Sequence, residues 1–104
     1  MTGYLERERM RRAARIDDNQ NEIVKALRNV GASVAITSQM GKGFPDIVVG
    51  YRGLNFLFEI KDGNKVPSKR KLTDDEVQFF GNWHGQVDIV ESIDDALKII
   101  GAIK

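Results

Sequence analysis

The stretch FPDIVVGYRGLNFLFEIKDG, residues 44–63, decides the fold. Two apolar runs flank the dipeptide Arg52-Gly53, a pattern typical of two antiparallel strands joined by a tight turn. With that dipeptide as the turn, one face of the hairpin is apolar at every position from Ile47 to Ile60, which is what specifies a strand register. The sequence therefore predicts a central β-hairpin with one buried face.

The opposite face of this hairpin carries three charged residues near its open end. In the same register Asp46 lies opposite Glu59, and Lys61 follows on the same face. Like charges directly across a sheet destabilise it. The ammonium of Lys61 could neutralise the carboxylates of Asp46 and Glu59 in a solvent-exposed series of ion pairs. Alternatively, a divalent cation could lie between the two carboxylates. Mg²⁺ is typically bound by one or two carboxylates, waters and substrate phosphate. A metal ion and a lysine beside a phosphodiester are the groups that a nuclease uses for hydrolysis.

The remaining segments predict one mixed α/β domain in the order α-β-β-β-α-β-α. A helix from about residue 17 or 19 to Asn29 ends at Gly31, and ASVAITS (32–38) is a strand. Thr73 and Glu76 form a capping box for a helix whose Val77, Phe80 and Trp83 are predicted to point inward. GQVDIVE (85–91) is a short strand, and Ser92 caps a last helix.

Composition narrows the cellular setting. The chain has 104 residues and no cysteine, so disulfides and thiolate zinc sites are excluded. No apolar run is long enough to cross a membrane, and the first residues lack the apolar core of a secretory signal. We expect a cytoplasmic protein that does not bind membranes.

Two basic clusters stand out against a net charge of only +1. Residues 1–16 are predicted to be a basic arm that precedes a domain at 17–104, and KVPSKRK (65–71) is a basic loop. Either cluster could be solvated surface or could bind a polyanion. The candidate nucleic-acid-binding residues are Lys42, Lys65, Lys69, Arg70, Lys71, Arg11, Arg12 and Arg15.

Two motifs in the chain resemble a known group of nucleases. PD at 45–46 followed by EIK at 59–61 matches the PD-(D/E)xK superfamily, and NQNEIVKALRNVGASV (19–34) and GKGFPDIVVGYRG (41–53) resemble the virus-type replication-repair nuclease family, VRR-NUC. That family is related to archaeal Holliday-junction resolvases and has small stand-alone phage members. The resemblance implies a restriction-endonuclease-like core in α-β-β-β-α-β order, with a central mixed sheet and a C-terminal helix.

The resemblance also implies roles for individual residues. Asp46 and Glu59 correspond to the metal-binding acids, the carbonyl of Ile60 to a backbone ligand, and Lys61 to the catalytic lysine. The first helix of such families supplies a Glu or Gln, for which we prefer Gln20 over Glu22. A glutamine common in the later helix corresponds to Glu76 or to Gln78. The implied cofactor is Mg²⁺, with Mn²⁺ as a substitute.

Together these features predict a Mg²⁺-dependent endonuclease selective for branched DNA, resembling a Holliday-junction resolvase and acting as a homodimer. Alternatives are a flap or single-strand nuclease, a non-catalytic DNA-binding module with the same fold, and a small interaction protein whose triad is only an ion-pair ladder. Phe79, Phe80 and Trp83 could stack on bases, but their helical spacing favours core packing. His84 is interpreted as a helix-end residue rather than a general base.

Overall fold

The computed structural model describes residues 17–104. It contains helices α1 (Gln20–Asn29), α2 (Asp74–Asn82) and α3 (Ile93–Ile100), strands β1 (Ser33–Ile36), β2 (Ile47–Tyr51), β3 (Leu54–Ile60) and β4 (Asp88–Val90), and a 3₁₀ turn at Pro67–Lys69. The predicted order of elements and the mixed α/β class are confirmed. Arg11, Arg12 and Arg15 lie outside the described residues, so the basic arm stays a prediction.

The four strands form one mixed sheet in the order β1-β2-β3-β4. The first three are antiparallel neighbours, and β4 runs parallel to β3. The predicted hairpin register is confirmed, because Ile47 pairs with Phe58 and Tyr51 with Leu54. Arg52 and Gly53 both have positive φ, 51° and 82°, as in the type I′ turn that suits the twist of two strands.

The ladder between β2 and β3 stops one residue before Asp46. The Asp46 N–H donates to the carbonyl of Phe58 at 3.0 Å, and its carboxylate accepts from the N–H of Ile60 at 2.7 Å. Asp46 is therefore not a simple cross-strand partner of Glu59, as the predicted register had it. Its side chain takes over a backbone hydrogen bond at the open end of the hairpin, which fixes the direction of the carboxylate.

The core lies between one face of the sheet and helices α1 and α3. Ile23, Val24 and Leu27 form the buried stripe of α1, at the spacing of one helical face. Opposite them the sheet presents Ile47, Val49, Phe58, Ile60 and Val90, and α3 adds Ala96 and Ile100. Gly31 ends α1 as predicted, with a φ of 95° that favours glycine.

Helix α2 is capped as predicted but packed differently. The Thr73 side chain accepts from the N–H of Glu76, and the Glu76 side chain accepts from the N–H of Thr73. The prediction that Val77 and Trp83 point inward is wrong, since they are 54% and 42% exposed and no residue of α2 is buried. Helical spacing shows that a helix has an apolar side, but not whether another element covers it.

Gly43 explains how the first turn of α2 is held. Its φ is 78°, and a Cβ at this position would collide with the backbone carbonyl of Asp75. The glycine-rich loop QMGKGFP (39–45) thus lies directly against the start of α2. Within residues 17–104, every helix falls short of the length and apolar character that a membrane crossing requires.

Candidate active site

A polar cleft of about 570 Å³ opens beside the start of β2 and the end of β3. Asp46, Glu59, Ile60 and Lys61 line it, as the hairpin register requires, and Glu76 from the first turn of α2 joins them. Three of the four predicted catalytic residues therefore share one cleft. Its size is within the range of ligand sites in proteins.

Glu59 is the most unusual group in the cleft. It is 2% exposed, and its Oε1 atom is buried and accepts no hydrogen bond from the described residues. Burial, helped by the neighbouring carboxyl groups of Glu76 and Asp46, raises the pKa of Glu59 to about 10. Carboxylates cannot donate to one another, so in this arrangement Glu59 needs either a proton or a cation.

Asp46 is the second carboxyl of this cluster. Burial raises the pKa of Asp46 above its ordinary value, although the hydrogen bond from the Ile60 N–H opposes the shift. Two neighbouring carboxyl groups with raised pKa values repel each other as anions. Together they form a place where positive charge is stabilised.

Lys61 places a cation beside Glu59 and Glu76. Its Nζ lies 3.0 Å from Oε1 of Glu76 and 3.6 Å from Oε2 of Glu59. Burial alone would lower the pKa of Lys61, but the ion pairs with Glu76 and Glu59 outweigh it and raise the pKa. Lys61 is therefore an ammonium at neutral pH.

Glu76 joins the helix cap to Lys61. Its Oε1 accepts from the N–H of Thr73 at 2.9 Å as well as from Nζ of Lys61. Burial opposes its ionisation, but hydrogen bonds from Glu59, Thr73 and Lys61 prevail and lower the pKa of Glu76. Of the two positions left open by the sequence, Glu76 lies in the cleft, whereas Gln78 is exposed and lines a different groove.

Gln20 lies behind the wall of the cleft. It is 1% exposed, and its Nε2 donates to Oγ of Ser38 at 3.1 Å. Ser38 lines the cleft and its hydroxyl lies 3.4 Å from the carbonyl oxygen of Asp46. Glu22 is exposed and lines another groove beside Glu91. Gln20 is thus the residue of α1 that is linked to the cleft, through Ser38.

Comparison with known proteins adds the family. No protein-family model and no curated protein matches the sequence. A solved structure described as a VRR_NUC domain matches with a TM-score of 0.53 and 27% identity, over 82% of this chain and 92% of that one. The chain is therefore similar in sequence and in fold to a VRR-NUC domain. The resemblance carried by the PD and EIK motifs is confirmed, and it indicates a nuclease of the PD-(D/E)xK type.

Two residues at or next to the cleft were not predicted from the sequence. Asp17 lines the cleft, and burial raises its pKa while Lys61 opposes the shift. The Asn19 amide donates to the carbonyls of Lys61 at 3.1 Å and Glu91 at 3.3 Å, which anchors α1 to the ends of β3 and β4. Both residues precede α1, where acidic and amide side chains are favoured by the start of a helix itself, so nothing in the local sequence signals a long-range contact.

The donor set of the cleft fits a divalent ion of the Mg²⁺ type. Among residues 17–104 there is no group of three or more His, Cys, Asp or Glu side chains arranged to hold a metal. Mg²⁺ does not need such a group, because one or two carboxylates with waters and phosphate suffice. Asp46 and Glu59 supply two carboxylates, and the unpartnered Oε1 of Glu59 is an acceptor that a cation would satisfy. Ile60 also lines the cleft.

The predicted nucleic-acid-binding residues among 17–104 differ in whether an ion pair holds their side chains. Lys65 lines the cleft and lies 3.6 Å from Asp18 in an exposed pair of the kind that contributes little. Arg70 is held by Oε2 of Glu91 at 3.0 Å, which ties the loop to the end of β4. The other predicted nucleic-acid-binding lysines, Lys42, Lys69 and Lys71, are exposed. His84 is exposed after α2, and it is not among the residues that line the cleft.

Proposed function

We propose that this VRR-NUC domain is a Mg²⁺-dependent DNA endonuclease that hydrolyses phosphodiester bonds in branched DNA. The observation that carries the proposal is the buried Glu59 carboxyl, with one oxygen lacking a donor, beside Asp46 and 3.6 Å from the Lys61 ammonium. Asp46 and Glu59 would hold the ion, with the Ile60 carbonyl as a backbone ligand. When bound, Mg²⁺ polarises the phosphoryl oxygens and lowers the pKa of the attacking water.

The role of Lys61 in this proposal is electrostatic. A lysine whose pKa is raised stays protonated at neutral pH and is a poor base. Its ammonium is suited to bind the scissile phosphate and to stabilise the negative charge that develops on its oxygens. Glu76 keeps that ammonium in the cleft, and Ser38 and Gln20 support the wall on the side of Asp46.

The preferred substrate is proposed to be a four-way junction cut by a homodimer. The support is the family's relationship to junction resolvases, together with a chain that offers one cleft of this composition among its described residues. A flap or a single-stranded end is the alternative substrate. Cleavage of a set of labelled junctions, flaps, nicked duplexes and single strands, compared under equal conditions, separates them.

Two substitutions test the proposed activity. Asp46→Asn removes one of the two carboxylates, and Lys61→Ala removes the ammonium, so each should lower Mg²⁺-dependent cleavage of branched DNA by at least about 10²-fold. Chelation of Mg²⁺ should abolish cleavage by the unmodified chain. Cleavage is measured on labelled junctions by gel, with circular dichroism to show that each variant is folded.

Glu22→Gln is the matched control, because Glu22 is exposed on α1 and lines a different groove. It should cleave like the unmodified chain. Full cleavage by purified Asp46→Asn protein would contradict the proposal. DNA binding without Mg²⁺- or Mn²⁺-dependent cleavage by the unmodified chain would favour a non-catalytic DNA-binding module instead.

A further inference from the structure

A second groove, of about 540 Å³, lies on the outer side of α2. Its lining consists of Lys42, Asp75, Gln78, Phe79, Asn82 and Trp83. It adjoins the active-site cleft, because Asp75 lines both and Gly43, the residue after Lys42, lines the cleft. A strand with a phosphate in the cleft therefore has a neighbouring groove within reach.

The floor of this groove is a stack of aromatic rings. The rings of Phe79 and Trp83 lie 5.0 Å apart with an interplanar angle of 19°, and Phe44 meets Phe79 edge to face at 5.4 Å. Phe44 itself lines the active-site cleft. The aromatic series thus runs from the cleft into the groove and ends at Trp83.

Trp83 is open to a ligand. It is 42% exposed although Phe79 stacks against its indole and Gly85 lies close to its Nε1 edge, so part of the ring remains accessible. A helix stabilised only by core packing would bury such a ring, because a fully buried large apolar side chain contributes about 1.5–3 kcal/mol. An exposed indole supported from behind by a second ring is a platform for stacking.

The polar groups beside this platform match a nucleobase. Gln78 and Asn82 carry amides, which both donate and accept hydrogen bonds as the edges of bases do. Asp75 contributes a carboxylate that repels phosphate, and Lys42 is the cation of the set. The combination favours an uncharged aromatic ring with polar edges in the groove, while the phosphate stays in the cleft.

We propose that this groove binds an unpaired base of the DNA strand whose backbone enters the active-site cleft. The inference rests on the proposed function in taking DNA as the ligand. It adds a requirement for at least one unpaired nucleotide beside the scissile phosphate. Single strands and flaps provide one, a four-way junction provides one where a base pair at its crossing point opens, and continuous duplex does not. Base stacking on an aromatic side chain tolerates any base, so the groove recognises the unpaired state and not the sequence.

The chain's single tryptophan makes the proposal directly measurable. The full Asp46→Asn chain is titrated in chelator with a twelve-residue oligothymidylate, while the fluorescence of Trp83 is followed. An abasic strand of the same length and charge serves as the comparison. Stacking predicts quenching by the oligothymidylate and much weaker quenching by the abasic strand. Absence of quenching, or equal quenching by both strands, overturns the proposal.

Substitutions give an independent readout. Trp83→Ala should weaken binding of a labelled oligothymidylate about 5- to 150-fold by fluorescence anisotropy, the range reported by alanine substitution of stacking aromatics. Trp83→Phe should retain most of the binding. Val77→Ala is the matched control, because Val77 is an exposed apolar residue of the same helix and is not among the groove-lining residues. Equal binding of the oligothymidylate by the Trp83→Ala and unmodified chains would refute base stacking on Trp83.

The two proposals fail separately. Base-dependent quenching without Mg²⁺-dependent cleavage supports the groove and contradicts the nuclease. Cleavage that depends on Asp46 and Lys61 without base-dependent quenching leaves the nuclease and removes the groove. Binding is measured in chelator, so its result does not depend on catalysis.

Discussion

At the scale of single residues, Glu59 is the group whose environment is least favourable without a ligand. Its carboxyl is buried beside Asp46, and one oxygen lacks a donor among the described residues. Such a carboxyl is stabilised as the neutral acid or by a cation, and is destabilised as a lone anion. Burial of the Glu59 carboxyl therefore explains both why its ionised form destabilises the fold and why it is proposed to bind a metal ion.

The pH dependence of stability tests this view of Glu59. Its pKa is raised in the folded chain from 4.5 to about 10, so the folded state binds a proton that the unfolded state releases. The stabilisation of the fold by this bound proton is fully present below the ordinary pKa of 4.5 and is lost as pH rises toward 10. In chelator, the free energy of unfolding should fall between pH 6 and 8, by up to about 1.4 kcal/mol per pH unit from this group.

Glu59→Gln removes the titration while keeping the shape of the side chain. Urea unfolding in chelator should show the variant gaining stability over the unmodified chain as pH rises from 6 to 8. Glu22→Gln, at an exposed position of α1, should follow the unmodified chain. Parallel pH curves for the Glu59→Gln and unmodified chains would show that Glu59 does not hold a proton in the fold.

At the scale of elements, helix α2 and the active-site cleft share one oxygen atom. Oε1 of Glu76 completes the capping box with Thr73 and also binds Nζ of Lys61. The start of the helix is thereby placed by the same contact that positions the lysine. Gly43 holds the glycine-rich loop against the same turn, so loop, helix and lysine meet at one point.

Substitutions at Glu76 separate its two contacts. Glu76→Gln keeps an acceptor for Thr73 but removes the negative charge beside Lys61, so the pKa of Lys61 should fall. We expect cleavage to decrease about tenfold, because the ammonium keeps a neutral acceptor but loses its charged partner, with the alkaline limb of the pH–rate profile shifted to lower pH. Glu76→Ala should lose the cap as well, at a cost of about 1 kcal/mol in stability.

Thr73→Ala is the control for the helix cap, because it weakens the capping box and leaves the pair of Glu76 and Lys61 in place. It should lower stability by about 1 kcal/mol and leave the pH–rate profile unchanged. If Thr73→Ala and Glu76→Gln shifted the profile alike, Glu76 would act only by stabilising α2.

At the scale of the whole molecule, the number of active sites sets the expected assembly. The described part of the chain holds one cleft with Asp46, Glu59 and Lys61, and resolving a four-way junction needs two cuts. Light scattering at micromolar concentration should therefore give twice the mass of one chain. A strict monomer that still cleaves DNA would favour flaps or single strands as substrates over junctions.

Much of this architecture was predictable from local sequence patterns. Alternation of apolar residues in 44–63 specified the faces and register of the hairpin, because a shift of one residue would expose the apolar face. Thr73 and Glu76 marked the start of α2, and Gly31 marked the end of α1. The hairpin also brought Asp46, Glu59 and Lys61 to one end, since they are near neighbours in a register that the sequence itself determines.

Only the tertiary structure decided which distant residues join that end. Glu76 reaches Lys61, Gln20 reaches Ser38, and Asp17 lines the cleft because of how α1 and α2 are placed against the sheet. The exposure of Trp83 was likewise invisible, since helical periodicity defines an apolar side but not the element that covers it. Short-range patterns act through backbone geometry over a few residues, whereas these contacts depend on the path of the loops between elements.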